Sequence, residues 1–105
     1  MTEIKDSFRL VVQEGIAAGK VFELKEDVVT IGRDLVNDIV LTDTEVSRRH
    51  ARLVRTDDGF TIEDMNSTNG CFVNGRRIKR QLLKDGDRLK VGDVPLRYGI
   101  RATQD

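Results

Sequence analysis

Short apolar or β-branched runs of three to six residues alternate with polar turn sequences along this chain. Phe8 to Gln13 sets Phe8, Leu10 and Val12 on one side, the period-two pattern of a half-buried strand. Further strand-like segments follow at Val21–Leu24, Val28–Ile31, Ile39–Leu41, His50–Arg55, Phe60–Glu63, Cys71–Val73, Arg88–Val91 and Pro95–Ile100. Punctuation between them falls at Gly15, Gly19, Asp57-Asp58-Gly59, Asn69-Gly70, Asn74-Gly75, Asp85-Gly86-Asp87 and Gly92-Asp93, residues that supply positive φ or bond their own backbone. The best helical candidate, Arg76 to Lys84, is short and bounded by glycine turns. The pattern predicts an all-β fold, an antiparallel sandwich or barrel. The polar ends, Met1 to Asp6 and Ala102 to Asp105, are expected to fray around a core of about residues 8–100.

A chain of 105 residues without repeat or linker reads as one domain. Eighteen basic and eighteen acidic residues cancel, so no global field draws it to nucleic acid or anionic lipid. Cys71 is the only cysteine, which excludes an intrachain disulfide and fits a reducing compartment. No apolar run follows Met1 and none approaches membrane-spanning length. A cytoplasmic protein with no membrane or nucleic-acid partner is therefore expected. Gly15 to Lys20 is one spacer short of a phosphate loop, and Val21 replaces the hydroxyl that would hold magnesium, so a hairpin turn is the expectation there. Arg76, Arg77, Lys79 and Arg80 gather without interleaved aromatic residues, as on a solvated strand edge.

Three polar loops carry the candidate chemistry: Gly32-Arg33, Val46-Ser47-Arg48-Arg49-His50 and Ser67-Thr68-Asn69-Gly70. Hydroxyls, an amide and fixed-charge guanidiniums are what holds a phosphate monoester. There is no metal-ligand cluster, second histidine or nucleophile with an obvious base, so the pattern points to binding a phosphate intact, with no cofactor and no metal. Each residue also has a structural reading. Arg33 could be a surface arginine, and Ser47 a turn serine bonding its own backbone. Asn69-Gly70 and Asn74-Gly75 could both be hairpin turns. His50 reads as a hydrogen-bonded structural residue, because its spacing from Ser47 does not ensure contact, and Cys71 as a small core residue. Arg48 and Arg49, if extended, point opposite ways, so at most one shares a ligand with Ser47.

The order of these elements adds what no single one carries. Gly32-Arg33, Asn37-Asp38-Ile39, Val46-Ser47-Arg48-Arg49-His50-Ala51, Asp64, Ser67-Thr68-Asn69-Gly70, Val73-Asn74-Gly75, Leu83 with Asp85-Gly86-Asp87, and Val91-Gly92 together resemble the forkhead-associated (FHA) domain, from about Phe8 to Ile100. The resemblance implies a sandwich of two twisted antiparallel sheets, with loops at one end that recognise phosphothreonine in a partner protein. It implies a non-catalytic module of Ser/Thr kinase signalling. By that resemblance Arg33, Ser47, Arg48 and Thr68 contact the phosphate, and Asn69 bonds the peptide main chain. Gly32 and His50 shape the loops, while Gly70, Asn74 and Gly75 set turn geometry. Glu45, two before Ser47, stands where some members carry a basic residue that reads a side chain downstream of the phosphothreonine, and Cys71 stands where threonine is frequent. The expected partner is a phosphothreonine-containing protein, a Ser/Thr kinase or its substrate, bound by a monomer. Two other classes stay open: a phospho-independent interaction or self-assembly domain, and a small nucleic-acid binder using Arg48, Arg49, Arg52 and Arg55.

Overall fold

The structure, a computed structural model, describes residues 4–104, with side chains over residues 6–102. Eleven strands and no helix occur among them. In chain order they are β1 (Ile4–Val12), β2 (Val21–Glu23), β3 (Val28–Gly32), β4 (Ile39–Val40), β5 (Ala51–Thr56), β6 (Gly59–Asp64), β7 (Cys71–Val73), β8 (Arg76–Ile78), β9 (Arg80–Leu82), β10 (Arg88–Val91) and β11 (Val94–Gln104). They form a six-stranded sheet in the order β2-β1-β11-β10-β7-β8 and a five-stranded sheet in the order β4-β3-β5-β6-β9.

Phe8, Leu10 and Val12 face inward as their alternation predicts, across from Ile100, Tyr98 and Leu96 of β11. Leu53, Phe60 and Ile62 of the other sheet complete the centre and are fully buried. Tyr98 is buried too, and its hydroxyl accepts from the Phe60 amide at 3.2 Å. Phe8 meets Phe60 edge-on at 5.4 Å, with the Arg55 guanidinium 4.3 Å from the Phe8 ring centroid. This core holds the two sheets as a rigid base for the loops at one end.

Three features add to the sequence reading. Arg76 to Lys84, the best helical candidate though not a convincing one, folds as β8 and β9, in line with the strand edge expected for its basic residues. Each strand is three residues long and mostly charged outward, so no period-two signal survives. β1 and β11 pair from Ile4↔Gln104 to Val12↔Leu96. Of the ends expected to fray, Met1 to Glu3 and Asp105 lie outside the described residues. Lastly, β3 and β4 pair in parallel over Ile31↔Ile39 and Gly32↔Val40. The segment between them, residues 33–38, folds back along β3 as one of the site loops.

Candidate phosphate-binding groove

Gly32 is buried at the end of β3, and a Cβ there would collide with the Arg48 carbonyl and stand 2.6 Å from the Asn37 amide nitrogen. That clearance lets the chain after β3 dock on the β4–β5 loop. The Arg33 amide donates to Ser47 O at 3.0 Å and the Asp34 amide to Arg48 O at 3.2 Å. Asn37, 8% exposed, donates through Nδ2 to Asp34 O at 2.8 Å and to Arg48 O at 2.7 Å. The Arg33 guanidinium is tethered by its Nε, which donates to Val46 O at 3.0 Å. Its two terminal nitrogens have no hydrogen bond or acid partner among the described residues, so the forked donor edge keeps its donors for a ligand.

His50 joins this loop to the next. It is fully buried. Its Nδ1 accepts from the Ser47 amide at 3.0 Å, and its Nε2 lies 2.7 Å from Gly70 O. The neutral imidazole protonated on Nε2 satisfies both contacts. Ser47 Oγ accepts from the Thr68 amide at 3.1 Å, which leaves its own hydrogen free to point outward. In the following loop Ser67 Oγ bonds Asp64 Oδ1 at 2.5 Å and accepts from the Gly70 amide at 2.9 Å. Asn69 donates through Nδ2 to the backbone oxygen and to Oε2 of Glu45, both at 2.8 Å.

The outcome is one shallow groove of about 450 Å³ lined by Arg33, Glu45, Ser47, Arg48, Thr68 and Asn69, with Arg49 among its walls. Three arginines and one glutamate line it, a charge balance that suits an anion. Arg48 and Arg49 both line it, and residues 48–49 form a bend and not the extended segment on which the expectation of opposite-pointing side chains rests.

The two Asn-Gly pairs separate cleanly. Asn74 and Gly75 both have positive φ, 51° and 86°, as a two-residue type I′ hairpin between β7 and β8 requires. They lie outside the groove, and Asn74 ties this hairpin to the next turn by accepting from the Arg88 amide at 2.9 Å and donating to Asp87 Oδ1 at 3.0 Å. At Asn69-Gly70 only Gly70 is left-handed, with φ 84°, so this segment is an irregular loop that presents Thr68 and Asn69.

Four shaping residues had no role assigned from the sequence. Asn37 and Ser67 are polar and buried, and Asp64 anchors Ser67. Gly92, at φ 59°, sits where a Cβ would strike Glu45 O, and its amide donates to Gly70 O at 3.2 Å. Asn37, Asp64, Ser67 and Gly92 all stood inside the ordered pattern; burial of a short polar side chain is the signal that sequence does not display.

His50, Asp64 and Cys71 bring donor atoms within 4.8 Å of one another. Burial, reinforced by the neighbouring Asp64 carboxylate, pushes the Cys71 thiol up to about 12. The thiol stays protonated and both imidazole nitrogens are engaged by the loops, so the cluster is a hydrogen-bonded support under the groove and a poor metal-ligand set.

Residues 29–92 match the family model of the FHA domain. The chain belongs to the FHA domain family. It is 47% identical over 74 residues to an ABC transporter ATP-binding/permease protein of Mycobacterium tuberculosis, covering 70% of this chain and 9% of that protein. It is 41% identical over 87 residues to the oxoglutarate dehydrogenase inhibitor of Corynebacterium diphtheriae, covering 83% of this chain and 61% of the inhibitor. This FHA domain thus spans under two thirds of either relative. Among solved structures it resembles Mycobacterium tuberculosis EmbR in complex with a low-affinity phosphopeptide, with a TM-score of 0.81, 35% identity, and coverage of 89% of this chain and 24% of EmbR.

Proposed function

We propose that this FHA domain, a phosphothreonine-peptide-binding module of Ser/Thr kinase signalling, captures its ligand in the groove through Arg33, Ser47, Arg48 and Thr68. The observation that carries the residue assignment is the Arg33 guanidinium, tethered by Nε to Val46 O with its remaining donors open beside the Ser47 hydroxyl. A phosphate dianion placed there gains forked, charge-assisted hydrogen bonds from Arg33 and a hydroxyl bond from Ser47. The Thr68 hydroxyl adds a donor from the opposite loop, and Arg48 adds charge.

Asn69 holds the peptide main chain through Oδ1, since its Nδ2 is committed to Glu45 in the free domain. The domain binds and releases its ligand unchanged, needing no cofactor. Its partner is a phosphothreonine-containing protein, a Ser/Thr kinase or its substrate, met in the cytoplasm by the monomer. The nucleic-acid reading loses support because Arg52 is bonded to Glu63 at 2.9 Å and Arg55 lies over Phe8, so neither joins Arg48 and Arg49 in one surface.

The test is calorimetry with phosphorylated and unphosphorylated copies of a threonine peptide selected from an oriented library. Micromolar binding of the phosphorylated copy, about −8 kcal/mol, is expected. Equal affinity for both copies would overturn the proposal.

A further inference from the structure

The outer face of the six-stranded sheet is strongly basic. Inward Leu10, Leu89, Leu96 and Tyr98 are buried, so alternation turns Arg9, Arg88, Lys90, Arg97 and Arg101 outward. On the edge strand Arg77 is paired across from Phe72, and its side chain borders a depression it shares with Asp64, Asn66 and Ser67. Arg88 and Arg97 are directly opposed across β10 and β11, a like-charge pair that costs stability. Neither has an ion-pair partner among the described residues. The acids nearby are few. Glu23 lies across from Arg9 at the far side, and Asp93 is 3.7 Å from Lys90. Asp85 borders a depression of about 390 Å³ with Arg9 and Arg97 and is the acid closest to the centre of this face; one of its oxygens accepts from the Ile100 amide at 2.8 Å. On the other sheet Arg52 and Arg80 both have an acid partner, the Glu63 carboxylate, at 2.9 and 3.6 Å. In a chain whose charges cancel overall, this is segregation onto one face.

The face also reaches the groove. Gly70, whose carbonyl holds His50, would bring a Cβ to 2.6 Å from Arg77 Nε. The Arg77 side chain therefore lies over the back of the loop that presents Thr68 and Asn69, so this end of the sheet adjoins that loop.

We propose that the outer face of the six-stranded sheet, centred on Arg88 and Arg97, is a second docking surface that takes an acidic segment of the same phosphorylated protein. The proposal rests on the phosphothreonine reading for the word "same". Charge complementarity selects the occupant: opposed guanidiniums without an ion-pair partner among the described residues are relieved by a run of carboxylates, and a partner tethered at the groove presents such a run at high local concentration.

The experiment compares a short phosphothreonine peptide with versions extended by about ten residues, Asp/Glu-rich or Gln/Ser-rich, before or after the phosphothreonine. One acidic extension should tighten binding about tenfold at 0.05 M salt and lose most of that gain near 0.5 M, where screening shortens to a few ångströms. R88Q/R97Q should erase the gain and leave the short peptide unchanged, while Ser47→Ala should weaken every phosphopeptide. A neutral extension giving the same gain, or a gain that survives in R88Q/R97Q, overturns the proposal. Should the short phosphopeptide bind no better than its unphosphorylated copy, the groove reading fails by itself. The free acidic segment still decides the face, by amide chemical-shift changes confined to β10 and β11 or their absence. A random oligonucleotide that binds this face more tightly than the acidic segment also overturns it.

Discussion

The Nε2 atom of His50 lies 2.7 Å from the carbonyl oxygen of Gly70, while Nδ1 of the same ring accepts from the Ser47 amide at 3.0 Å. One buried ring thus fixes the spacing between the loop that carries Ser47 and the loop that carries Thr68. Replacing it with alanine strands a buried N–H and a carbonyl and leaves a cavity. We expect His50→Ala to lower stability by about 2–4 kcal/mol and to weaken phosphopeptide binding, although His50 touches no ligand. Denaturant unfolding and calorimetry check the two effects; unchanged binding in a folded variant would remove His50 from the assembly of the groove.

Arg33 gives the opposite separation. Its side chain is exposed and aimed at the groove, with only Nε used internally. Arg33→Ala should cost about 2–5 kcal/mol of phosphopeptide binding, since it removes the charged partner of the phosphate. It should leave the unfolding midpoint close to wild type. Arg33→Lys should also lose affinity, because lysine cannot keep the Val46 tether and still offer a planar fork. A wild-type dissociation constant for Arg33→Ala would place the phosphate elsewhere.

How much of this was legible in the sequence depended on the kind of residue. Inward strand residues such as Leu10, Leu53 and Ile62 announced themselves by period and type, and the sandwich followed. The groove residues were legible only as an ordered set, because Arg33 or Ser47 alone fits many surface roles. The two Asn-Gly pairs look identical on paper, yet one is a hairpin turn and the other holds a recognition loop; tertiary bonds to His50 and Gly92 decide which. Arg49 joined the groove because of a bend that side-chain pattern does not encode. The short strands β8 and β9 were legible only as a basic strand edge without bounds, because their stability comes from pairing with β7 and β6, not from their own composition.

Affinity should depend on pH through the ligand. The second proton of a phosphate monoester binds at about pH 6. Arg33, Arg48 and Arg49 favour the dianion, so the bound phosphate holds its pKa below the free value. Binding is therefore strongest above pH 6 and weakens as pH falls through it. Between pH 7.5 and 5.5 the dissociation constant should rise about fourfold, the fraction of dianion lost from the free peptide. Binding that strengthens over this range would contradict dianion capture.

Alkaline stability should report on Cys71. Burial raises its thiol from the ordinary value of 9.0 to about 12, so the folded state favours the protonated form. That stabilising difference is fully present below pH 9, where both states are protonated. It is lost as pH rises toward about 12, because the unfolded chain ionises first. Tyr98 is also raised by burial, from 10.0, and adds to the loss only at higher pH. Unfolding free energy should therefore fall from pH 9 to 10 in the wild type and stay flatter over that interval in Cys71→Ala. The native thiol should also resist iodoacetamide at pH 8. Rapid alkylation of the folded protein would show the thiol is accessible.

Glu45 links the free groove to peptide choice. Its carboxylate accepts from Asn69 Nδ2 at 2.8 Å and forms part of the groove wall. It is exposed and makes no ion pair with Arg48 or Arg49 among the described residues, so its charge is felt at the rim. An acidic peptide residue about three positions after the phosphothreonine, the downstream side chain read by some family members, should therefore be disfavoured and a basic one tolerated better. Solvent screening keeps the difference small, about 0.2–1 kcal/mol. Glu45→Gln should abolish the preference while keeping a side-chain oxygen to accept from Asn69, so overall affinity for a neutral peptide should change little. Peptides with Asp or Lys at that position, measured against wild type and Glu45→Gln, separate charge from geometry. Tighter binding of the Asp peptide to wild type, unchanged in the variant, would show that Glu45 does not set selectivity.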